Sequence, residues 1–123
     1  MIEPQSLLLR GRQLLVVEDE YMIADDLSRA LQERGASVIG PAGSVEDALE
    51  LLQTEPRIDG AVLDINLRGE CAYPIADALR ARGVPFVFAT GYDAWAIPEI
   101  YAGVPRLEKP VNIRALGRLL SNH

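Results

Sequence analysis

A chain of 123 residues is long enough for one domain with its own core and too short for two ordinary ones. Twelve Lys plus Arg against eighteen Asp plus Glu give a net charge of −6, which disfavours nucleic acid or an anionic membrane as the main partner and suits a protein or a cation. Cys71 stands alone, the only histidine is His123, and no apolar run nears the roughly 20 residues of a membrane span, so a disulfide framework, a Cys/His zinc site and a membrane anchor are set aside and a cytoplasmic, soluble chain is expected.

Residues 1–12 lack periodicity and carry Pro4 and Gly11; they are expected to form a flexible N-terminal arm ahead of a single domain over 13–123. From Leu14 the chain alternates short branched runs with helical patterns. Leu14 to Val17, Val38 to Ile39, Ala61 to Leu63 and Phe86 to Ala89 do not alternate with polar residues, as expected of strands buried on both faces of a parallel sheet. Ile23, Leu27, Ala30 and Leu31 share one face of a first helix ended by Gly35, and Val45, Ala48, Leu49 and Leu52 repeat that spacing behind the capping box Ser44-Val45-Glu46-Asp47. A third helix follows Pro74, burying Ile75 and Leu79 and stopping at Gly83; a last one starts at Asn112 with Ile113, Leu116, Leu119 and Leu120 inward. Pro98 makes any helix between Asp93 and Tyr101 short or irregular, and a fifth strand is placed near Val104 to Glu108. This β-α rhythm predicts right-handed crossovers and a doubly wound α/β sheet with helices on both faces.

In such sheets, ligands sit outside the carboxyl ends of the strands where the strand order reverses. Glu18 and Asp19 follow the first strand, Asp64 the third, Thr90 the fourth and Lys109 the fifth. Singly, these read as caps, a turn residue and a surface lysine. Together they bring three carboxylates, a hydroxyl and an ammonium to one crevice. Two carboxylates about 4 Å apart repel by roughly 4 kcal/mol at an effective dielectric near 20. Oxygen ligands favour a hard cation, and a few carboxylates with waters and a phosphate are how Mg²⁺ is usually held. With the charge neutralised, one carboxylate can attack phosphorus, and Thr90 and Lys109 can receive phosphoryl oxygens.

Val16-Val17-Glu18-Asp19, Val62-Leu63-Asp64-Ile65-Asn66-Leu67, Ala89-Thr90-Gly91 and Glu108-Lys109-Pro110 stand in the order and spacing of a known family, so Leu14 to Asn122 resembles the response regulator receiver domains of two-component phosphorelays. The resemblance implies a flavodoxin-like, five-stranded sheet in the order 2-1-3-4-5. It also implies Asp64 as phosphoacceptor, with Asp19 and Asp64 binding Mg²⁺ directly, the Asn66 backbone carbonyl as a further ligand and Glu18 acting through a water. Thr90 would be the switch hydroxyl and Lys109 the phosphate-contacting lysine, with a cis Lys109-Pro110 bond. Glu20 matches no ligand position and reads as a charge favourable at a helix start.

Phe86-Val87-Phe88-Ala89-Thr90-Gly91-Tyr92 is similar to the FATGUY subgroup of receivers, often single-domain proteins paired with histidine kinases of the HWE or a related type. Arg106 stands where many receivers carry an inward-rotating aromatic, and a guanidinium cannot bury itself there without a partner; Tyr92 or Trp95 is the expected substitute. A phosphotransferase is the other expected phosphodonor. Since no helix-turn-helix or catalytic segment follows Asn122, output is expected through contacts with a protein target or onward phosphotransfer, with no direct nucleic-acid or membrane partner. Such a domain is not a conventional enzyme, although it catalyses its own phosphorylation and slow dephosphorylation. Two alternatives are weighed. A phosphorylation-independent pseudo-receiver is disfavoured by the intact Asp19, Asp64, Thr90 and Lys109. An aspartate-nucleophile phosphohydrolase is disfavoured because Asn66 stands where those enzymes carry a general acid.

Overall fold

The structure is a computed structural model that describes residues 8–91 and 97–121. The branched runs form β1 (Gln13–Val17), β2 (Ser37–Ala42), β3 (Gly60–Asp64), β6 (Phe86–Thr90) and β7 (Arg106–Glu108), and a small antiparallel hairpin, β4 (Asn66–Leu67) and β5 (Glu70–Cys71), follows β3. Four helices among the described residues complete the pattern: α1 (Tyr21–Glu33), α2 (Val45–Thr54), α3 (Tyr73–Ala81) and α4 (Ile113–Ser121). The main sheet runs β2-β1-β3-β6-β7 with every neighbouring pair parallel. Leaving the hairpin aside, this is the expected 2-1-3-4-5 order.

Successive strand residues point to opposite faces, so one β1 strand feeds two cores. Leu14 and Val16 pack with Leu31 of α1, Val62, Val87, and Leu116 and Leu120 of α4. Leu15 and Val17 pack with Leu52 of α2, Leu63, Phe88, and Ile75 and Leu79 of α3. Every residue of β3 and β6 is buried, which is why those runs show no polar alternation. Gly60 opens β3 between Leu14 and Leu120, whose methyl carbons would lie 3.1 and 3.2 Å from an added Cβ.

The helix ends follow the local chemistry. Ser44 Oγ accepts from the Asp47 N–H at 3.1 Å to start α2, and Asn112 Oδ1 accepts from the Ala115 N–H at 3.0 Å to start α4. The inward face of α1 differs from the expected one: Ala24, Ser28 and Leu31 are buried, whereas Ile23, Leu27 and Ala30 are half-buried. The small Ala24 and Ser28 allow the helix close to the sheet. The larger residues turn to a groove shared with Val111 and Ile113.

Residues 8–12, which the sequence reading places in the arm, are anchored to the domain through Leu9. Leu9 is fully buried beside Leu31 and Leu116, its N–H donates to the Arg34 carbonyl at 3.1 Å, and the Gly11 N–H donates to Gly35 at 3.3 Å. Gly35, at φ +94°, ends α1 as expected and also makes room for this segment, since a Cβ there would lie 2.8 Å from the Arg10 Cα. The expected irregular segment before the fifth strand is, over its described part, a single 3₁₀ turn at Glu99–Tyr101.

Candidate functional site

Parallel pairing sets the site. Val17 lies beside Leu63 and Asp64 beside Ala89, so the residues just past β1 and the last residues of β3 and β6 meet at one edge. Ligand oxygens of Glu18, Asp19 and Asp64 all lie within 4.8 Å of one another. Glu18, Asp64 and Thr90 are buried, and Asp19 is half-buried. The pocket above them is lined by Asp19, Glu20, Asp64, Asn66, Thr90 and Lys109, with Arg68 at its rim.

The crowding of carboxylates has a counter-ion within the chain. Lys109 Nζ lies 2.7 Å from Glu18 Oε1 and 2.9 Å from Asp64 Oδ2, bridging two strand ends. Burial alone would lower the Lys109 pKa, but hydrogen bonds and charge from both carboxylates raise it above the usual lysine value. Glu18, expected only as an outer partner for a metal, binds Lys109 directly through its carboxylate. Burial pushes the Asp64 carboxyl up to about 6 against the pull of the Lys109 hydrogen bond, and the Glu18 charge adds to the rise. At neutral pH Asp64 is ionised but poorly solvated, a state that favours a cation or a covalent bond.

The remaining candidates are placed around this pair. The Asn66 N–H donates to Asp64 Oδ1 at 3.2 Å. Thr90 Oγ1 donates to the Leu107 carbonyl at 3.4 Å, a long bond that leaves the hydroxyl easy to redirect. The Lys109 N–H donates to the Thr90 carbonyl, and the Lys109-Pro110 bond is cis, as expected. Glu20 is the N-cap of α1 without a side-chain capping bond; its N–H donates to Glu18 Oε2 at 3.0 Å. An all-oxygen donor set of this charge fits a hard divalent cation, while Cys and His ligands are absent from it.

Arg106 lies exposed on β7 opposite Phe88. Tyr92 and Trp95, the other two switch candidates, lie outside the described residues. Sequence reasoning missed an aromatic shelf on the α3 side of β6: Tyr73 stacks on Tyr101 at 4.6 Å, Phe88 meets both edgewise, and the Tyr101 hydroxyl donates to Asp77 at 2.7 Å. It also missed Arg68, whose Nε lies 3.9 Å from Asp19 Oδ2. The available signal was the dipeptide Arg68-Gly69, a two-residue turn close behind Asp64.

No family model matches the chain. The solution structure of SdrG from Sphingomonas melonis Fr1 superposes with a TM-score of 0.73 at 36% identity, covering 89% of this chain and 93% of that one. A crystal structure of a response regulator receiver protein from Sinorhizobium medicae WSM419 has a TM-score of 0.75 at 27% identity, covering 93% of this chain and 98% of that one. The sensory transduction protein LytT of Bacillus subtilis (strain 168) is 32% identical over 88 residues, which is 69% of this chain and 36% of LytT. The chain spans 35% to 40% of the length of the curated relatives it matches.

Proposed function

The chain belongs to the receiver-domain family of response regulators, and from that premise we propose that it accepts a phosphoryl group on Asp64 from a histidine kinase or a phosphotransferase, with Mg²⁺ as cofactor. The observation that carries this reading is the bridge from Lys109 Nζ to Asp64 Oδ2 at 2.9 Å, beside Glu18 and Asp19 in a pocket that Thr90 also lines. Its neighbours supply what an aspartyl phosphate requires: a nucleophilic carboxylate, a cation for one new oxygen and a hydroxyl for another.

In the proposed reaction an Asp64 carboxylate oxygen forms a bond to phosphorus as the bond from phosphorus to the donor breaks. The donor, an imidazole in a phosphohistidine, leaves with the electron pair and gains a proton. Lys109, already hydrogen-bonded to Asp64, moves its ammonium to the transferred group, and Thr90 exchanges its long bond to Leu107 for a phosphoryl oxygen. Asp19 and Asp64, with the Asn66 backbone carbonyl and with Glu18 through a water, would hold Mg²⁺. When bound, the ion supplies charge neutralisation for both the carboxylates and the transferring phosphoryl group.

Output then runs through phosphorylation-dependent contacts with a protein target, or onward phosphotransfer, by way of residues 92–106 and α4. The similarity to FATGUY receivers favours a kinase of the HWE or a related type, and Arg106 in place of the usual aromatic leaves Tyr92 or Trp95, near Thr90 in sequence, as the aromatic reporter. No helix among the described residues is long and apolar enough to cross a membrane, and a cytoplasmic site of action is part of this proposal. Incubation with Mg²⁺ and acetyl phosphate, or with a cognate kinase, should add one acid-stable, base-labile phosphoryl group. Asp64→Asn should abolish it; undiminished labelling of that variant would sink the assignment.

A further inference from the structure

Arg68 occupies a backbone position that an arginine seldom takes. The hairpin register pairs Asn66 with Cys71 and Leu67 with Glu70, leaving Arg68 and Gly69 as a two-residue turn at φ 53° and 90°. Both positive angles belong to a type I′ turn, whose first position is more often Asn, Asp or Gly. The turn is firmly supported: Leu67 is buried, Asn66 Oδ1 accepts from the Gly69 N–H at 2.8 Å, and the Ala72 N–H donates to the Ile65 carbonyl at 2.8 Å. A residue held in an unfavourable conformation on a rigid support beside a site is a reason to ask what its side chain does there.

Its side chain is 80% exposed, free to swing, yet its Nε comes within 3.9 Å of Asp19 Oδ2. Lys109 is committed to Glu18 and Asp64. The cationic group placed next to Asp19, the remaining carboxylate of the cluster, is therefore Arg68. A guanidinium and a divalent cation held at the same carboxylate repel each other and share its negative charge, so each weakens the hold of the other.

We propose that Arg68 competes with the divalent cation for Asp19, so that this residue sets the metal affinity of the site. The inference rests on the receiver reading of the carboxylate cluster and deepens it. Loading the metal releases Arg68 from Asp19 into solvent, and losing the metal lets the pair re-form.

The test is calorimetric titration of Mg²⁺ into the full chain and into Arg68→Asn, Arg68→Lys and Asp19→Asn, with no phosphodonor present. Asn accepts a positive φ, so Arg68→Asn removes the charge with the turn intact; Arg68→Gly is the second such variant. At about 10 mM salt, where screening reaches only beyond roughly 30 Å, Arg68→Asn and Arg68→Gly should bind Mg²⁺ about two- to fivefold more tightly than the parent, the range expected for losing one exposed ion pair. Arg68→Lys should stay close to the parent, and the difference should shrink near 1 M salt, where the screening length is about 3 Å. Parent-like or weaker binding by both neutral variants overturns the inference while leaving the receiver reading intact, provided the parent binds Mg²⁺ and Asp19→Asn does not. Failure of the parent itself to bind Mg²⁺ overturns both.

Discussion

At the residue scale the site is an unbalanced charge cluster. Three carboxylates meet one buried-side ammonium, and the imbalance appears in Asp64, whose carboxyl burial has pushed from 3.8 up to about 6. A raised carboxyl pKa in the folded state means that its contribution to stability is fully present below about 3.8 and is lost as pH rises through about 6. In chelator, Asp64→Asn should therefore be more stable than the parent near pH 8, with the gap closing toward pH 4. Thermal melts across pH check this, and superimposable melts at pH 8 would contradict it. Lys109→Met should do the reverse. It strands Glu18 and Asp64 without their ammonium and should cost about 3 kcal/mol in chelator, part of which Mg²⁺ should restore. Positions 18, 64 and 90 were legible in the sequence because each follows directly on an apolar run, and positions 19 and 109 because they lie just past the predicted strand ends. The contact between Lys109 and Glu18 was not, since it depends on how far β7 and β1 stand from each other across β3 and β6.

Among elements, the helices and the five strands of the main sheet were read from the sequence, and the short hairpin was not. The two helices flanking β2 and the fully buried β3 and β6 declare themselves through spacing and through the absence of alternation. The hairpin β4–β5 could not, because two-residue strands carry no period, and only the Arg68-Gly69 turn marks it. In α1 the apolar spacing was present, but the small Ala24 and Ser28 took the closest approach to the sheet, rotating the larger residues toward the groove. Leu9 illustrates the same limit: a lone leucine has no pattern, yet its side chain fills space between α1 and α4. Leu9→Ala should cost about 2–4 kcal/mol in urea unfolding, the range for a truncated core leucine. A change below about 0.5 kcal/mol would mean that residues 8–12 contribute no packing.

For the whole molecule, two cores on opposite faces of one parallel sheet leave a single edge where β1, β3, β6 and β7 end together, and the polar residues gather there. The doubly wound class was legible because short apolar runs alternate with helical patterns, which restricts the topology to right-handed crossovers; the strand order was legible only through the resemblance to receiver domains. The aromatic cluster was less so, because the stacked Tyr73 and Tyr101 come from segments not adjacent in sequence. The central claim is that this edge exists to make Asp64 a phosphoacceptor. The most direct measurement is borohydride reduction of the chain after incubation with Mg²⁺ and phosphodonor, followed by peptide mass mapping, since an aspartyl phosphate is reduced to homoserine whereas a free carboxylate is not. Homoserine at position 64, dependent on both Mg²⁺ and donor, is the expected result; reduction at Asp19 or Glu18 in its place, or a phosphorylated chain with Asp64 unchanged, would contradict it.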